Sequence, residues 1–160
     1  MVILIMGVSG TGKTSVAMSL AAECGFHFIE ADDYHSKANI VKMFNGMSLS
    51  DDDRLPWLLS INAELKKRKD QNIVLACSAL KLKYRESLFS DILDYKIIHL
   101  SADYDIIYQR MLNRNGHFMP PSLLKDQFDT LEHDEEAILF DVGVNTVKEI
   151  VSEIKKELSI

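Results

Sequence analysis

Two rhythms of apolar and polar positions alternate along this chain. Short stretches rich in apolar and β-branched residues occupy 2–6, 26–29, 73–77, 95–100 and 137–142. They have strand length, and the segments between them follow a helical period. Helices are predicted over 16–24, 39–44, from Ser50 to about Lys69, from near Lys81, over 103–112 and over 121–131. A last helix follows Thr146, with Val147, Ile150, Val151, Ile154 and Leu158 as its apolar stripe. Gly25 suits a helix C-cap, and Thr146 with Glu149 three positions on forms a capping-box pattern. Ser50 with Asp53 gives the same pattern, although Pro56 offers a competing start nearer Arg54, with the proline in the first turn. Strands alternating with helices predict a mostly parallel sheet. The expected fold is a three-layer α/β/α arrangement of five parallel strands with helices on both faces, as one domain spanning 1–160.

The first strand ends abruptly at Gly7, and residues 7–14 read G-V-S-G-T-G-K-T. This matches G-x-x-x-x-G-K-[ST], the phosphate-binding loop, placed between a strand and a helix as that motif requires. Backbone N–H groups of Gly7, Val8, Ser9, Gly10, Thr11 and Gly12, with the helix start at Ser15, would surround phosphate oxygens. Lys13 would reach the β- and γ-phosphates, and the Thr14 hydroxyl would hold Mg²⁺. ATP and Mg²⁺ are therefore the expected cofactors.

The second strand runs into Glu30-Ala31-Asp32-Asp33-Tyr34-His35. In open α/β sheets ligands bind at the carboxyl ends of the strands, so these acids should face Lys13. Glu30 could hold Mg²⁺ through water, and Asp32 could orient or deprotonate a hydroxyl. Arg54 could grip an anionic group with its fork, a local ion pair with Asp51–Asp53 being the competing arrangement. Lys81 and Arg85 lie near a helix start, where cations are disfavoured, and an anionic ligand would resolve that conflict. Arg110 and Arg114 share one helix face. They lead into N-G-H-F-M-P-P, so residues around 110–125 read as a lid that brings arginines to a transferring phosphate. Trp57 reads as core.

Composition narrows the possibilities. The net charge is −6, which disfavours nucleic acid as a partner. No apolar run reaches membrane-span length, and the apolar start continues directly into the phosphate loop, as a strand does and a signal peptide does not. The two cysteines, Cys24 and Cys77, have no metal-ligand spacing and read as small hydrophobes. Cytoplasmic location is the resulting expectation. The guanine-reading N-K-x-D pattern is missing from the sequence, and Cys77-Ser78 stands where an assembly ATPase would carry an acid. A small-molecule kinase remains, with in-line transfer from ATP–Mg²⁺ to a substrate hydroxyl.

Several stretches together resemble the P-loop gluconokinases, relatives of the shikimate kinases. They are G-V-S-G-T-G-K-T, A-D-D-Y-H with N-I-V-K-M, D-D-D-R-L-P-W-L, A-C-S-A-L-K-L-K-Y-R, and N-R-N-G-H-F-M-P with Q-F-D-T-L-E, covering Gly7 to Glu132. The resemblance implies a cytoplasmic, often dimeric enzyme that phosphorylates D-gluconate on O6 with ATP and Mg²⁺. It places Asp32 beside the acceptor hydroxyl, Glu30 at indirectly held magnesium, and Arg54 where shikimate kinases hold a carboxylate. His35, Lys81, Arg85 and His117 fall in the same stretches and are candidate substrate contacts. Arg110 could stack on adenine instead of touching phosphate, with the 143–146 turn and Asn145 opposite. The family usually has Ser-Thr after the loop lysine, where this chain has Thr14-Ser15. A shikimate-kinase-like enzyme for another hydroxy acid and a non-catalytic nucleotide-binding module are the alternatives.

Overall fold

The computed structural model describes residues 1–113 and 119–160. At its centre lies β1 (Val2–Met6), buried at every position. It pairs in parallel with β3 (Ile73–Ala76) on one side and β4 (Tyr95–Ser101) on the other. β2 (His27–Glu30) extends the sheet beyond β3, and β5 (Ile138–Asp141) extends it beyond β4. The order is β2-β3-β1-β4-β5, all parallel.

Successive side chains of a strand point to opposite faces, and the sheet accordingly carries two cores. On one face Ile3, Ile5, Val74, Ile98 and Leu100 pack against α1 (Lys13–Cys24), α5 (Tyr104–Leu112) and α7 (Val147–Leu158). On the other, Leu4, Met6, Leu75 and Ile97 meet Trp57, Leu58, Ile61 and Leu65 of α3 (Asp51–Lys67) and Leu88 of α4 (Leu82–Leu88). This is the expected P-loop NTPase-type α/β/α fold. Cys77 lies within the second core, where burial pushes its thiol up to about 12.

Local chemistry sets the element ends. Gly25 closes α1 in the left-handed conformation, at φ 68°. Both capping boxes form, Ser50 with Asp53 and Thr146 with Glu149. Of the two starts open to α3, the helix takes Asp51, because the box satisfies its orphan N–H groups, and Pro56 lies inside it. Residues 31–34 after β2 wind into a 3₁₀ turn whose N-cap is Glu30. The segment read as one helix over 121–131 divides into a 3₁₀ turn, Pro121–Leu123, and α6 (Leu124–Thr130). α2 (Lys37–Phe44) is capped by Ser36.

Candidate active site

The phosphate loop is pressed onto β4 and α5. Gly7 has φ 138°, and a Cβ there would run into the Leu100 carbonyl oxygen. Gly10 has φ 86°, and its Cβ would sit 2.9 Å from Met111 Cγ and 3.0 Å from Ile107 Cγ2. Only glycine meets both the torsion and the space. Within the loop, the Val8 carbonyl accepts from Thr11 Oγ1 at 2.9 Å and from Lys13 Nζ at 3.0 Å. Lys13 thus lies folded across the loop, at the start of α1, where the helix dipole favours anions.

The end of β2 closes against this loop. Thr14 Oγ1 donates to Glu30 Oε2 at 2.7 Å. Burial raises the Glu30 carboxyl above its ordinary range, with the Thr14 hydrogen bond opposing that shift. Two residues on, Asp32 lies with its Oδ1 4.0 Å from His35 Nε2. His35 stacks on Trp57, ring centroids 4.2 Å apart, and Trp57 Nε1 donates to the Ala31 carbonyl at 2.7 Å. Burial lowers the His35 pKa, with Asp32 opposing, so the imidazole is held toward its neutral form. Gly12, Lys13, Thr14, Glu30, Asp32 and Arg110 all line one cavity of about 360 Å³.

A narrow throat, lined among others by Lys13, Asp32, His35, Arg54, Trp57 and Tyr84, leads on from there. It shares Arg54, Leu49, Met43, Met119 and Gln127 with a second cavity of about 470 Å³. Ser50, Asp51, Lys81 and Asp126 also line this second cavity. Here Arg54 and Lys81 gather around the Tyr84 ring, at 5.4 Å and 5.6 Å from its centroid. Arg54 Nη1 donates to the Leu49 carbonyl and, at 3.3 Å, to the Tyr84 hydroxyl. Asp51 accepts from Lys83, from Tyr84 Oη and, at 3.1 Å, from Lys81. Lys83 chiefly, then Tyr84 and Lys81, hold its carboxyl well below the usual carboxylate range.

The structure therefore brings together Lys13, Thr14, Glu30, Asp32, His35, Arg54, Lys81 and Arg110. Arg85 goes elsewhere, and its expected place among the substrate contacts is corrected. Its guanidinium is buried, donates to the carbonyls of Ala79 at 2.8 Å and Glu132 at 3.2 Å, and pairs with Asp134 at 2.9 Å. It ties the turn after β3, where Ala79 adopts φ 44°, to the segment after α6. Arg110 Nη2 donates to the Val142 carbonyl at 2.6 Å, which sets the 141–146 turn beside the first cavity. Asn145 is exposed, and both its backbone N–H and its Nδ2 bind the Asp141 carbonyl. Arg114 and His117, in the middle of the expected lid, lie outside the described residues.

Sequence reasoning missed Asn113, which lines the first cavity, and Tyr84, Asp51 and Gln127 around the second. Asn113 is the C-cap residue of α5, and no motif in the sequence marks it. The Tyr84 and Asp51 contacts span 33 residues, and no local pattern signals them.

A phosphate loop at the centre of a parallel sheet, facing an acidic strand end within one cavity, defines an ATP-binding P-loop phosphotransferase. The family model described as "AAA domain" matches residues 3–120. The chain is 44% identical to a probable gluconokinase of Rattus norvegicus, over 82% of each chain. It superposes on an unliganded sugar kinase from Janibacter sp. with a TM-score of 0.93 at 39% identity, covering 99% of this chain and 94% of that one. A gluconokinase from Sinorhizobium meliloti gives a TM-score of 0.86 at 41% identity, covering 98% and 90%. The chain belongs to the gluconokinase family.

Proposed function

We propose that this chain transfers the γ-phosphoryl group of ATP to O6 of D-gluconate, giving 6-phosphogluconate and ADP. The observation that carries the reading is the shared cavity: Lys13 and Asp32 line it together, and it leads by a throat to Arg54 and Lys81. A triphosphate on the loop and an alcohol beside Asp32 would then meet in line, with a cationic anchor beyond the alcohol.

Each residue has a task that its chemistry suits. Backbone N–H groups of the loop hold the phosphates. Lys13 Nζ exchanges the Val8 carbonyl for a phosphate oxygen. Asp32 accepts the proton of the acceptor hydroxyl or orients it. Burial lowers the pKa of His35, which lies beside Asp32. Arg54 and Lys81 bind the sugar-acid carboxylate, where a charge-assisted hydrogen bond is strongest. Arg110 offsets charge on the phosphates or covers the adenine beside the 141–146 turn.

Thr14 and Glu30 fit Mg²⁺. They present a hydroxyl and a carboxylate 2.7 Å apart, hard oxygen donors of the kind Mg²⁺ takes. Mg²⁺ at such a site is bound chiefly by substrate phosphates and water, with few protein ligands. When bound, Mg²⁺ supplies charge neutralisation at the phosphates.

Action in the cytoplasm and a homodimeric state, with neither nucleic acid nor membrane as a partner, belong to the same proposal. ATP consumption measured with D-gluconate and with shikimate tests it. Turnover of gluconate is expected, and efficient turnover of shikimate without gluconate would overturn it.

A further inference from the structure

We infer that Gln127 is a positioning residue that couples occupancy of the acceptor cavity to the backbone of the phosphate loop. The inference rests on the gluconate-kinase reading of these cavities. Gln127 belongs to α6, 118 residues from the loop, yet Ser9 N–H donates to its Oε1 at 2.6 Å. Both residues are buried. Ser9 follows Val8, whose carbonyl anchors Lys13 and Thr11.

The donor at Ser9 fixes the orientation of the carboxamide. A backbone N–H requires an acceptor, so the amide oxygen faces the loop and the amide nitrogen faces away. On that side Nε2 meets Met119 Sδ at 3.9 Å, and a thioether is a weak acceptor for a group with two hydrogens to donate. Gln127 lines both the throat and the larger cavity beyond it. A hydroxyl or carboxylate oxygen of a polyol acid entering there is a better partner than sulfur. Exchanging sulfur for oxygen would pin the carboxamide, and through the bond to Ser9 it would fix the loop backbone beside the transferring phosphate. The acceptor is then sensed on one side of a single amide group and the phosphate loop is set on the other.

Coupling of this kind is reciprocal between the two ligands, so an equilibrium measurement tests it. Trp57, the one tryptophan of the chain, lines the throat, and its fluorescence serves as the reporter. The dissociation constant of D-gluconate is measured with and without saturating adenylyl imidodiphosphate and Mg²⁺. In the wild type the nucleotide analogue should tighten gluconate binding by about 5-fold or more, within the usual range of coupling. In Gln127→Met the ratio should fall to about 1. Gln127→Glu keeps an acceptor for Ser9 but lacks the donor, so its ratio should fall as well, and it guards against a folding defect in the methionine variant. A merely structural role would lower the melting temperature and leave the ratio intact. A wild-type ratio of 1, or either folded variant with the wild-type ratio, would overturn the inference. Gluconate turnover by the wild type, measured alongside, judges the functional reading separately.

Discussion

Thr14 and Glu30 are joined hydroxyl to carboxylate at 2.7 Å, so the first turn of α1 and the end of β2 are held as one unit. The hydrogen bond crosses from the residue assigned to magnesium to the residue assigned to hold it through water. Glu30→Gln keeps the shape and an acceptor for Thr14 but removes the charge. The Mg²⁺ concentration giving half-maximal rate should rise about 10–100-fold, the usual cost of losing a partner of this kind. The sign of the pH effect follows from burial, which raises the Glu30 pKa. Lowering the pH protonates Glu30, and it does so at a higher pH than for an ordinary glutamate. The wild-type Mg²⁺ requirement should therefore climb as the pH falls, and the Gln variant should lack that component. Rate against free Mg²⁺ at several pH values checks both statements, and a Gln variant that tracks the wild type would remove Glu30 from its assigned role.

Asp32→Asn should lower kcat by roughly 10²–10⁴-fold, the range for loss of a general base, while leaving ATP affinity close to that of the wild type. His35 stays stacked on Trp57 in this variant, so the throat keeps its shape. Steady-state rates with nucleotide binding measured separately provide the check. An Asn variant with undiminished kcat would show that no proton passes through Asp32.

In the proposed reaction Arg54 anchors the sugar acid. Its loss in Arg54→Met removes a charge-assisted hydrogen bond worth about 1.5–3 kcal/mol, so KM for gluconate should rise about 10–100-fold with KM for ATP unchanged. Arg54→Lys should restore only part of the affinity, since an ammonium lacks the planar fork. Equal increases in both KM values would place Arg54 outside the acceptor site.

Arg85 predicts a different phenotype. Arg85→Met leaves Asp134, whose side chain is 14% exposed, without its guanidinium partner. Breaking a buried pair from one side costs about 3–5 kcal/mol, so urea unfolding should show a loss of that order. KM for ATP should stay at the wild-type value. A variant as stable as the wild type would mean that the pair contributes nothing to holding the turn at Ala79.

The contrast between Arg54 and Arg85 shows what the sequence carries. Strands such as Val2–Met6 are legible because a run of apolar residues ends at a glycine-rich motif, and the capping boxes at Ser50 and Thr146 are local patterns that pair residues three positions apart. Lys13, Thr14, Glu30 and Asp32 fall together because strand ends of a parallel sheet share one edge. Arg85 looked equivalent to Lys81 because both are cations near one helix start. What separates them is the return of the chain at residues 132–134, a contact made 47 or more positions away. Arg54 posed the reverse problem, since its neighbouring acids suggested a local pair. Tyr84 and the Leu49 carbonyl take it up, and Asp51 turns to the lysines of the 81–83 segment. Gln127 was invisible for the same reason as Arg85, its partner lying 118 residues back.

The placement of β1 between β3 and β4 also bears on how the protein is made. Translation delivers the middle of the sheet first, and its neighbours at 73–76 and 95–99 follow only after the whole of β2 and α3 has been made. Until then five consecutive apolar residues have no strand beside them, a condition that favours aggregation of nascent chains. Slower synthesis at low temperature, or ample chaperone supply, should accordingly raise the soluble yield more than any change at the surface.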